Sequence, residues 1–527
     1  MSKLWTSSRQ RLSGGSLFPH LSAPTTTRPP PRLLSPTSRS GLLLSRRGLL
    51  TLAIETSCDD TCVAILEKSK AGVARLHFNE KITSDNRAFG GVHPPTAVIS
   101  HTENLAPLIQ RALRALPKAN NKKTGRHDGG GLCHHDGENS DGEKILLVDG
   151  HARSRPDFVS VARGPGMTSN LATGLNLAKG LAVAWDVPLL AVNHMQAHAL
   201  TPRLVAALSE EGEGETEEDA VDSTSEGEGG GGGAAAKLQN PRFPFLSLLV
   251  SGGHSMLVRS QSLNDHAILA DAMNIAVGDM IDKCARMIVP SEILANEDSG
   301  SGMYGPMFEE FAFPGSRESA CYEYNYTAPA NRGEEIKRFD SGSGWVLTPP
   351  LALMGKGEAA MSVYEFAGIN GQIQKVMHAF PDMDVDMRKV LARAAMTIVF
   401  EHLTSRLVFA LKADDVKLKN DTETEGQSKI KTVVLSGGVA SNKFLRHVVR
   451  TMLDARGYAD VELVAPPVSL CTDNAAMIAW TGMEMYEDGW RSDLGVLALR
   501  KWPLDPKAEG GGILGAGGWY KVPVAKQ

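Results

Sequence analysis

At 527 residues the chain is longer than one hydrophobic core usually organises, so two or more domains are expected. Hydrophobic residues make up 42% and charged residues 22%, ordinary soluble-protein usage, and the absence of any run of about eighteen apolar residues argues against a transmembrane helix and membrane insertion. The formal net charge of −5 gives no bulk sign of nucleic-acid binding, and six scattered cysteines without C-x-x-C pairs argue against a disulfide scaffold or a structural zinc knuckle and fit a reducing compartment.

The amino terminus stands apart. Lys3, Arg9, Arg11, Arg28, Arg32, Arg39, Arg46 and Arg47 occur there with no acid, among many Ser, Thr and Pro residues. Residues 1–48 are therefore read as an organelle transit peptide, with the mitochondrion favoured. Leu49 to Ile54 then predicts a strand, Glu55 to Thr61 a polar turn and Cys62 to Leu66 a second strand: a hairpin whose tip carries Asp59, Asp60 and hydroxyls. Such a tip can hold a phosphate or a hydrated cation, or be a plain solvated turn. A helix is expected from Thr96 to Leu116, and residues 118–155 read as an inserted Gly-rich loop. Within it Cys133, His134, His135 and Asp136 resemble metal ligands, but adjacent ligands in such a loop seldom close a site.

Pro156 to Ala162 predicts a strand ending at Arg163-Gly164-Pro165-Gly166, followed by a helix from Leu171 to Trp185. The dinucleotide fingerprint needs a third glycine where this chain has Ser169, so a Rossmann reading is set aside. A strand at Leu189 to Val192 leads into Asn193-His194-Met195-Gln196-Ala197-His198, after which Pro202 is expected to bend or close the helix. In a helix His194 and His198 lie one turn apart, roughly 5–6 Å between Cβ atoms, close enough to share a metal ion. Residues 206–240 are expected to be an acidic, Gly-rich, unstructured insertion.

The second half opens with another hairpin, Phe245 to Val250 and Ser255 to Val258, whose turn is Ser251-Gly252-Gly253-His254. Glycine doublets let backbone N–H groups approach a phosphate unobstructed. Val433 to Leu435 leads into Ser436-Gly437-Gly438-Val439-Ala440-Ser441-Asn442 and a helix from Lys443 to Leu453, so a helix N-terminus adds its positive end to the free amides. Finally, Cys471-Thr472-Asp473-Asn474 opens a helix from Ala475 to Tyr486, where an Asp is ordinarily a cap.

The runs IETSCDDT (54–61), NHMQAH (193–198), LLVSGGH (248–254), LSGGVASN (435–442) and CTDNAAM (471–477) resemble, in order and spacing, the motifs of the tRNA N6-adenosine threonylcarbamoyltransferase family, in its mitochondrial branch. The resemblance implies an α/β, actin-like ATPase (ASKHA) fold with two related mixed-sheet domains around a nucleotide cleft, at 49–205 plus 465–505 and at 241–464, followed by a tail at 506–527. It implies transfer of threonylcarbamoyl from threonylcarbamoyl-AMP to N6 of the adenosine 3′ of the anticodon, in mitochondrial tRNAs reading codons that begin with A. It implies His194, His198 and Asp473 as ligands of one divalent metal ion per subunit, iron, zinc or magnesium. Leu249, Val250, Ser251, Gly252, Gly253, Asp282, Gly305 and Asn442 then match substrate-nucleotide positions, and Asp59 matches the catalytic acidic residue. Implied partners are tRNA, an upstream threonylcarbamoyl-AMP synthase and a second copy of the chain, in the mitochondrial matrix.

The chain departs from the family pattern at several places. Asp59-Asp60 replaces the usual Asp-Glu, Gly278-Asp279-Met280-Ile281-Asp282-Lys283 replaces Gly-Glu-Ala-Phe-Asp-Lys, and Met303-Tyr304-Gly305-Pro306 shortens Tyr-Pro-Gly-Gly-Pro. No residue is carried over at Ser362 to Ile369, and residues 290–350 contain long insertions. Independently of the family, two histidines and one aspartate form a facial set with open positions, suited to polarising a carbonyl. Three rival classes are a metal-dependent endopeptidase, an actin-like ATPase or sugar kinase, and a non-catalytic nucleotide-binding scaffold. The first is weakened because Met195 stands where His-Glu-x-x-His enzymes place their base.

Overall fold

Leu49 to Ile54 and Thr61 to Leu66 are apolar, β-branched or small throughout, and the strands Leu49–Glu55 and Asp60–Lys68 that contain them pair antiparallel from Leu49 opposite Lys68 to Glu55 opposite Cys62. This hairpin centres one of two large sheets in a computed structural model that describes residues 48–89, 91–119, 144–209, 240–295, 304–319, 321–352, 361–420 and 429–523. The first sheet is seven-stranded, running across Trp519–Lys521, Trp490–Ser492, Leu189–Asn193, Phe158–Gly164, Leu49–Glu55, Asp60–Lys68 and Ala74–Thr83. The second is six-stranded, running across Val363–Tyr364, Asp265–Ala272, Ser255–Ser262, Phe245–Val250, Thr432–Ser436 and Glu462–Val464.

Both sheets contain the same plan. An antiparallel meander of three strands presents its first strand to a parallel partner, which presents its other edge to a second parallel partner. Parallel neighbours need crossovers, and helices Thr168–Ala184 and Lys443–Ala455 supply them at equivalent places. A plan repeated in two sheets is the signature of the actin-like architecture, and it puts the hairpin tips and crossover turns of each lobe at the carboxyl ends of the parallel strands.

Packing overrides several local signals. Pro202 neither closes the helix nor shortens it: His194–Ser209 continues past it, because Leu200, Leu204 and Ala207 recur at helical spacing and are all fully buried in the first-lobe core. The loop expected at 118–155 contains a hairpin, Ile145–Val148 with His151–Ser154, while Cys133, His134, His135 and Asp136 lie outside the described residues, as do residues 1–47 and 210–239. The stretch expected as a tail supplies the edge strand Trp519–Lys521 and the buried Ile513. Helix Val385–Asn420 is long and apolar enough to cross a membrane by length and composition, which the sequence reading did not anticipate, but 78% of its most apolar window is buried within the fold.

Residues 321–347 lie across the second lobe, with Tyr324 and Tyr326 packed against Phe444 and His447. The Tyr326 hydroxyl donates to Glu401 at 3.1 Å. Burial, supported by the charge of Glu335, pushes Glu401 up to about 7 despite that hydrogen bond and Arg456. A carboxyl raised on folding contributes stability below its unfolded value and loses it as pH rises through the folded one. Resistance of the full chain to urea is therefore expected to fall as pH rises from the ordinary carboxyl range to about 7, and Glu401→Gln is expected to flatten that slope; an unchanged slope would remove Glu401 as its source.

Candidate metal and nucleotide site

Strand Leu189–Asn193 ends where its helix begins, and the side chain of Asn193 accepts from the amides of Met195 (2.9 Å) and Gln196 (3.1 Å). That cap fixes the first turn, so His194 and His198 lie one turn apart and meet edge to face, with ring centroids 4.7 Å apart at 88°. Asp473 reaches them from a separate segment 275 positions beyond His198. Asn474, not Asp473, caps helix Ala475–Glu487 by accepting from Met477 at 3.0 Å. Asp473 is thereby free to turn its carboxylate to the histidines. Its Oδ1 lies 3.0 Å from His198 Nε2 and 3.6 Å from His194 Nε2, and one ligand atom from each of the three residues falls within 4.8 Å of the others.

Behind His194 stands Glu55, fully buried at the end of the first strand, with Oε2 3.0 Å from His194 Nδ1. Ser57 Oγ is 3.2 Å from the same nitrogen. A carboxylate can only accept, so Nδ1 carries a hydrogen and Nε2 points at Asp473. An imidazole lone pair facing a carboxylate oxygen across 3.6 Å repels it unless positive charge intervenes. Without a metal that charge is a proton: burial disfavours the imidazolium, but Glu55 and Asp473 outweigh burial and push His194 up to about 9. Asp473, which burial alone would raise, is held well below the usual carboxylate range by His194 and the hydrogen bond from His198. His198 Nδ1 is buried without a hydrogen-bond partner among the described residues. Two imidazoles and one carboxylate arranged to need a cation fit a metal ion, and the site lacks the thiolates of a structural zinc.

The first hairpin tip divides its two carboxylates. Asp60 is committed, pairing with Lys81 at 3.0 Å and accepting from Thr83 Oγ1. Asp59 is half-buried and accepts from Asn86 Nδ2 at 3.2 Å. Burial, then the charges of Asp60 and Asp473, raise it above the ordinary aspartate value, so it takes up a proton more readily than a free carboxylate.

Across from this tip, strands Phe245–Val250 and Thr432–Ser436 run parallel, with Leu249 opposite Ser436, and both end in glycine turns. Leu249 and Val250 are buried strand residues. Ser251 Oγ accepts from His254 N at 3.0 Å, closing the turn, and a Cβ at Gly252 or Gly253 would meet nothing within 4 Å. Gly437 has φ +94° and backs onto the Val250 carbonyl, so any side chain there would be strained and would collide. The two glycine turns are thus locked to each other. Asn442 caps helix Lys443–Ala455, accepting from Leu445 at 2.8 Å. Asp282 accepts from Tyr304 N at 2.7 Å at the mouth of helix Gly305–Ala312, which joins Asp282 and Gly305; burial pushes Asp282 up to about 6 against those amides.

Three contributors escaped sequence reasoning. Glu55 read as the first residue of a polar turn, and Lys81 lay in a strand with no motif. His254 read only as the end of a glycine turn, yet burial and then the charges of His194 and His198 push it down to about 4, within electrostatic reach of the pair. The Ser-Gly-Gly-His order was the available signal, since it follows the strand that ends at the cleft.

A family model described as tRNA N6-adenosine threonylcarbamoyltransferase matches residues 144–211 and 232–480. A Schizosaccharomyces pombe protein named "tRNA N6-adenosine threonylcarbamoyltransferase, mitochondrial" is 32% identical, covering 91% of this chain and 91% of its own length. A Brucella ovis protein named tRNA N6-adenosine threonylcarbamoyltransferase is 30% identical, covering 87% of this chain and 96% of its own. Likeness to solved structures is weaker: HypF of T. kodakarensis is 12% identical with a TM-score of 0.37, covering 84% of this chain and 48% of its own. With the family model spanning more than half of the chain and both relatives matched along most of their lengths, the chain belongs to the tRNA N6-adenosine threonylcarbamoyltransferases, transferases on the actin-like ATPase fold.

Proposed function

We propose that the protein transfers the threonylcarbamoyl group of threonylcarbamoyl-AMP to N6 of the adenosine 3′ of the anticodon, in mitochondrial tRNAs reading codons that begin with A. The observation that carries this reading is the convergence of His194, His198 and Asp473 within 4.8 Å, on the lobe whose first hairpin presents Asp59. The glycine turns at Ser251–Gly253 and Gly437–Asn442 hold the adenylate part of the donor through backbone amides and the helix end behind Asn442. Asp282 and Gly305, on helices of the second lobe, are assigned to the nucleoside. Leu249 and Val250 fix the strand end from which the first turn departs.

His194, His198 and Asp473 would hold one divalent ion, which supplies Lewis-acid polarisation of the carbamoyl carbonyl. Glu55 orients His194 for that role. The adenine amine attacks the carbonyl carbon, a C–N bond forms, the bond from that carbon to the phosphate oxygen breaks, and AMP leaves. Asp59 takes the proton released from N6. Iron, zinc and magnesium each suit two imidazoles and a carboxylate, with affinities that differ.

The basic, acid-free terminus and the mitochondrial name of the fission-yeast relative support a mitochondrial matrix location. An upstream enzyme must supply the acyl adenylate, and a homodimer is the proposed assembly. Incubating the purified protein with threonylcarbamoyl-AMP and mitochondrial tRNA tests the reading. Modified adenosine and stoichiometric AMP are expected; ATP hydrolysis or peptide cleavage without modified tRNA would replace it with a kinase-like or peptidase activity.

A further inference from the structure

The loop after the third strand of the first sheet carries a stacked ring pair, Phe89 exposed and His93 half-buried, outside the His194–His198–Asp473 cluster. Phe89 and His93 are stacked with ring centroids 3.8 Å apart and planes 10° apart, yet Phe89 remains 54% exposed. Val92 (46% exposed) and Ile99 (56%) extend the apolar surface around it. Phenylalanine at such exposure loses the benefit of burial unless something covers it.

The loop is tied to the acidic hairpin tip through one side chain. Asn86 is fully buried; its Nδ2 donates to Asp59 Oδ2 at 3.2 Å, and its Oδ1 accepts from His93 N at 3.0 Å. The Phe89 amide donates to the Asn86 carbonyl at 3.0 Å, and His93 Nδ1 lies 2.8 Å from Thr96 Oγ1. The ring pair is therefore held in fixed register with the Asp59 carboxylate. An exposed phenyl ring backed by a half-buried imidazole, and tied through Asn86 to Asp59, suits the face of an unstacked base, since single-stranded RNA bases are recognised by stacking on Phe, Tyr, Trp or His.

We infer that Phe89, backed by His93, is the stacking platform for the target adenine after it leaves the anticodon loop, and that Asn86 sets this platform in register with Asp59. The inference rests on the tRNA-modifying reading above. Stacking fixes the plane of the base without reading its sequence, while Asp59 addresses the N6 edge.

The test is a binding cycle on the full chain, read by fluorescence anisotropy with an end-labelled anticodon stem-loop RNA and with the same RNA abasic at the target position. Phe89→Ala is expected to weaken binding of the intact RNA about tenfold, and Phe89→Tyr to restore it. The abasic RNA is expected to bind the natural protein about tenfold more weakly and to show no further loss with Phe89→Ala. Unchanged affinity in Phe89→Ala, or losses that multiply, would overturn the platform. So would a shift in solution mass with unchanged RNA affinity, which would assign the ring to contact with a second copy of the chain. Because binding is read without transfer, a coupled cycle in a protein that modifies no tRNA would uphold the platform while the transferase reading failed.

Discussion

Asp473→Ala is expected to release the bound metal and lower threonylcarbamoyl transfer by more than the roughly 10–100-fold that altering a ligand's outer partner costs. The fold should survive. Asn474 supplies the cap of helix Ala475–Glu487, and the helix is buried along Ala475, Met477, Ile478 and Trp480, so removing the neighbouring carboxylate leaves its anchoring intact. What disappears is the negative partner of two imidazoles. In the metal-free protein His194 would keep only Glu55 as its counter-charge, and His198 would lose its 3.0 Å contact. Metal content by elemental analysis, circular dichroism and transfer rate together check the claim: a folded protein with little metal and little activity is expected. Full metal occupancy in Asp473→Ala would show that the histidines bind without it.

Chelation should reproduce this loss, and its pH dependence follows from the same cluster. Metal binding must displace the proton held at His194, whose affinity is pushed up to about 9, so lowering the pH below that value favours the metal-free state. The proton and the metal compete for the same lone pair, which is why one buried arrangement explains both.

The local parts of the site were legible in the sequence and the long-range parts were not. The helical spacing of His194 and His198, the hairpin bearing Asp59 and the strand-to-glycine turns each follow from fewer than about ten residues, where periodicity and turn chemistry dominate. Glu55 was invisible because its partner is 139 positions away, and nothing in a polar turn says which carboxylate turns inward. Asp473, by local chemistry alone, reads as a helix cap, and only the family resemblance implies it as a metal ligand; Asn474 takes the capping duty and leaves its carboxylate available. Pro202 does not close its helix, since the loss of one hydrogen bond is small beside the burial of Leu200 and Leu204. The edge strand Trp519–Lys521 pairs with Trp490–Ser492, and the indole of Trp519 donates to the Ala191 carbonyl at 2.7 Å, contacts that composition alone cannot announce in a Gly-rich terminus.

Asp59→Asn is expected to lower the turnover number by about 10²–10⁴-fold, the range general-base catalysis supplies, while metal content and fold stay unchanged. The amide preserves the shape of the side chain and can still accept from Asn86 Nδ2, so the loop carrying Phe89 keeps its anchor. It removes only the ability to take a proton. In the natural protein a raised carboxyl affinity means that the active, ionised form of Asp59 is lost early as pH falls, so activity should rise with pH through that ionisation and the Asn variant should lose that limb of the profile. Asp60→Asn provides the contrast. It breaks the pair with Lys81 and the hydrogen bond from Thr83, so its effect should fall on stability more than on turnover. Turnover near that of the natural protein in Asp59→Asn would exclude proton transfer to this carboxylate. It would leave Asp59 as an orienting acceptor, a role the amide oxygen can also fill, because the hairpin places the side chain correctly whether or not it carries charge.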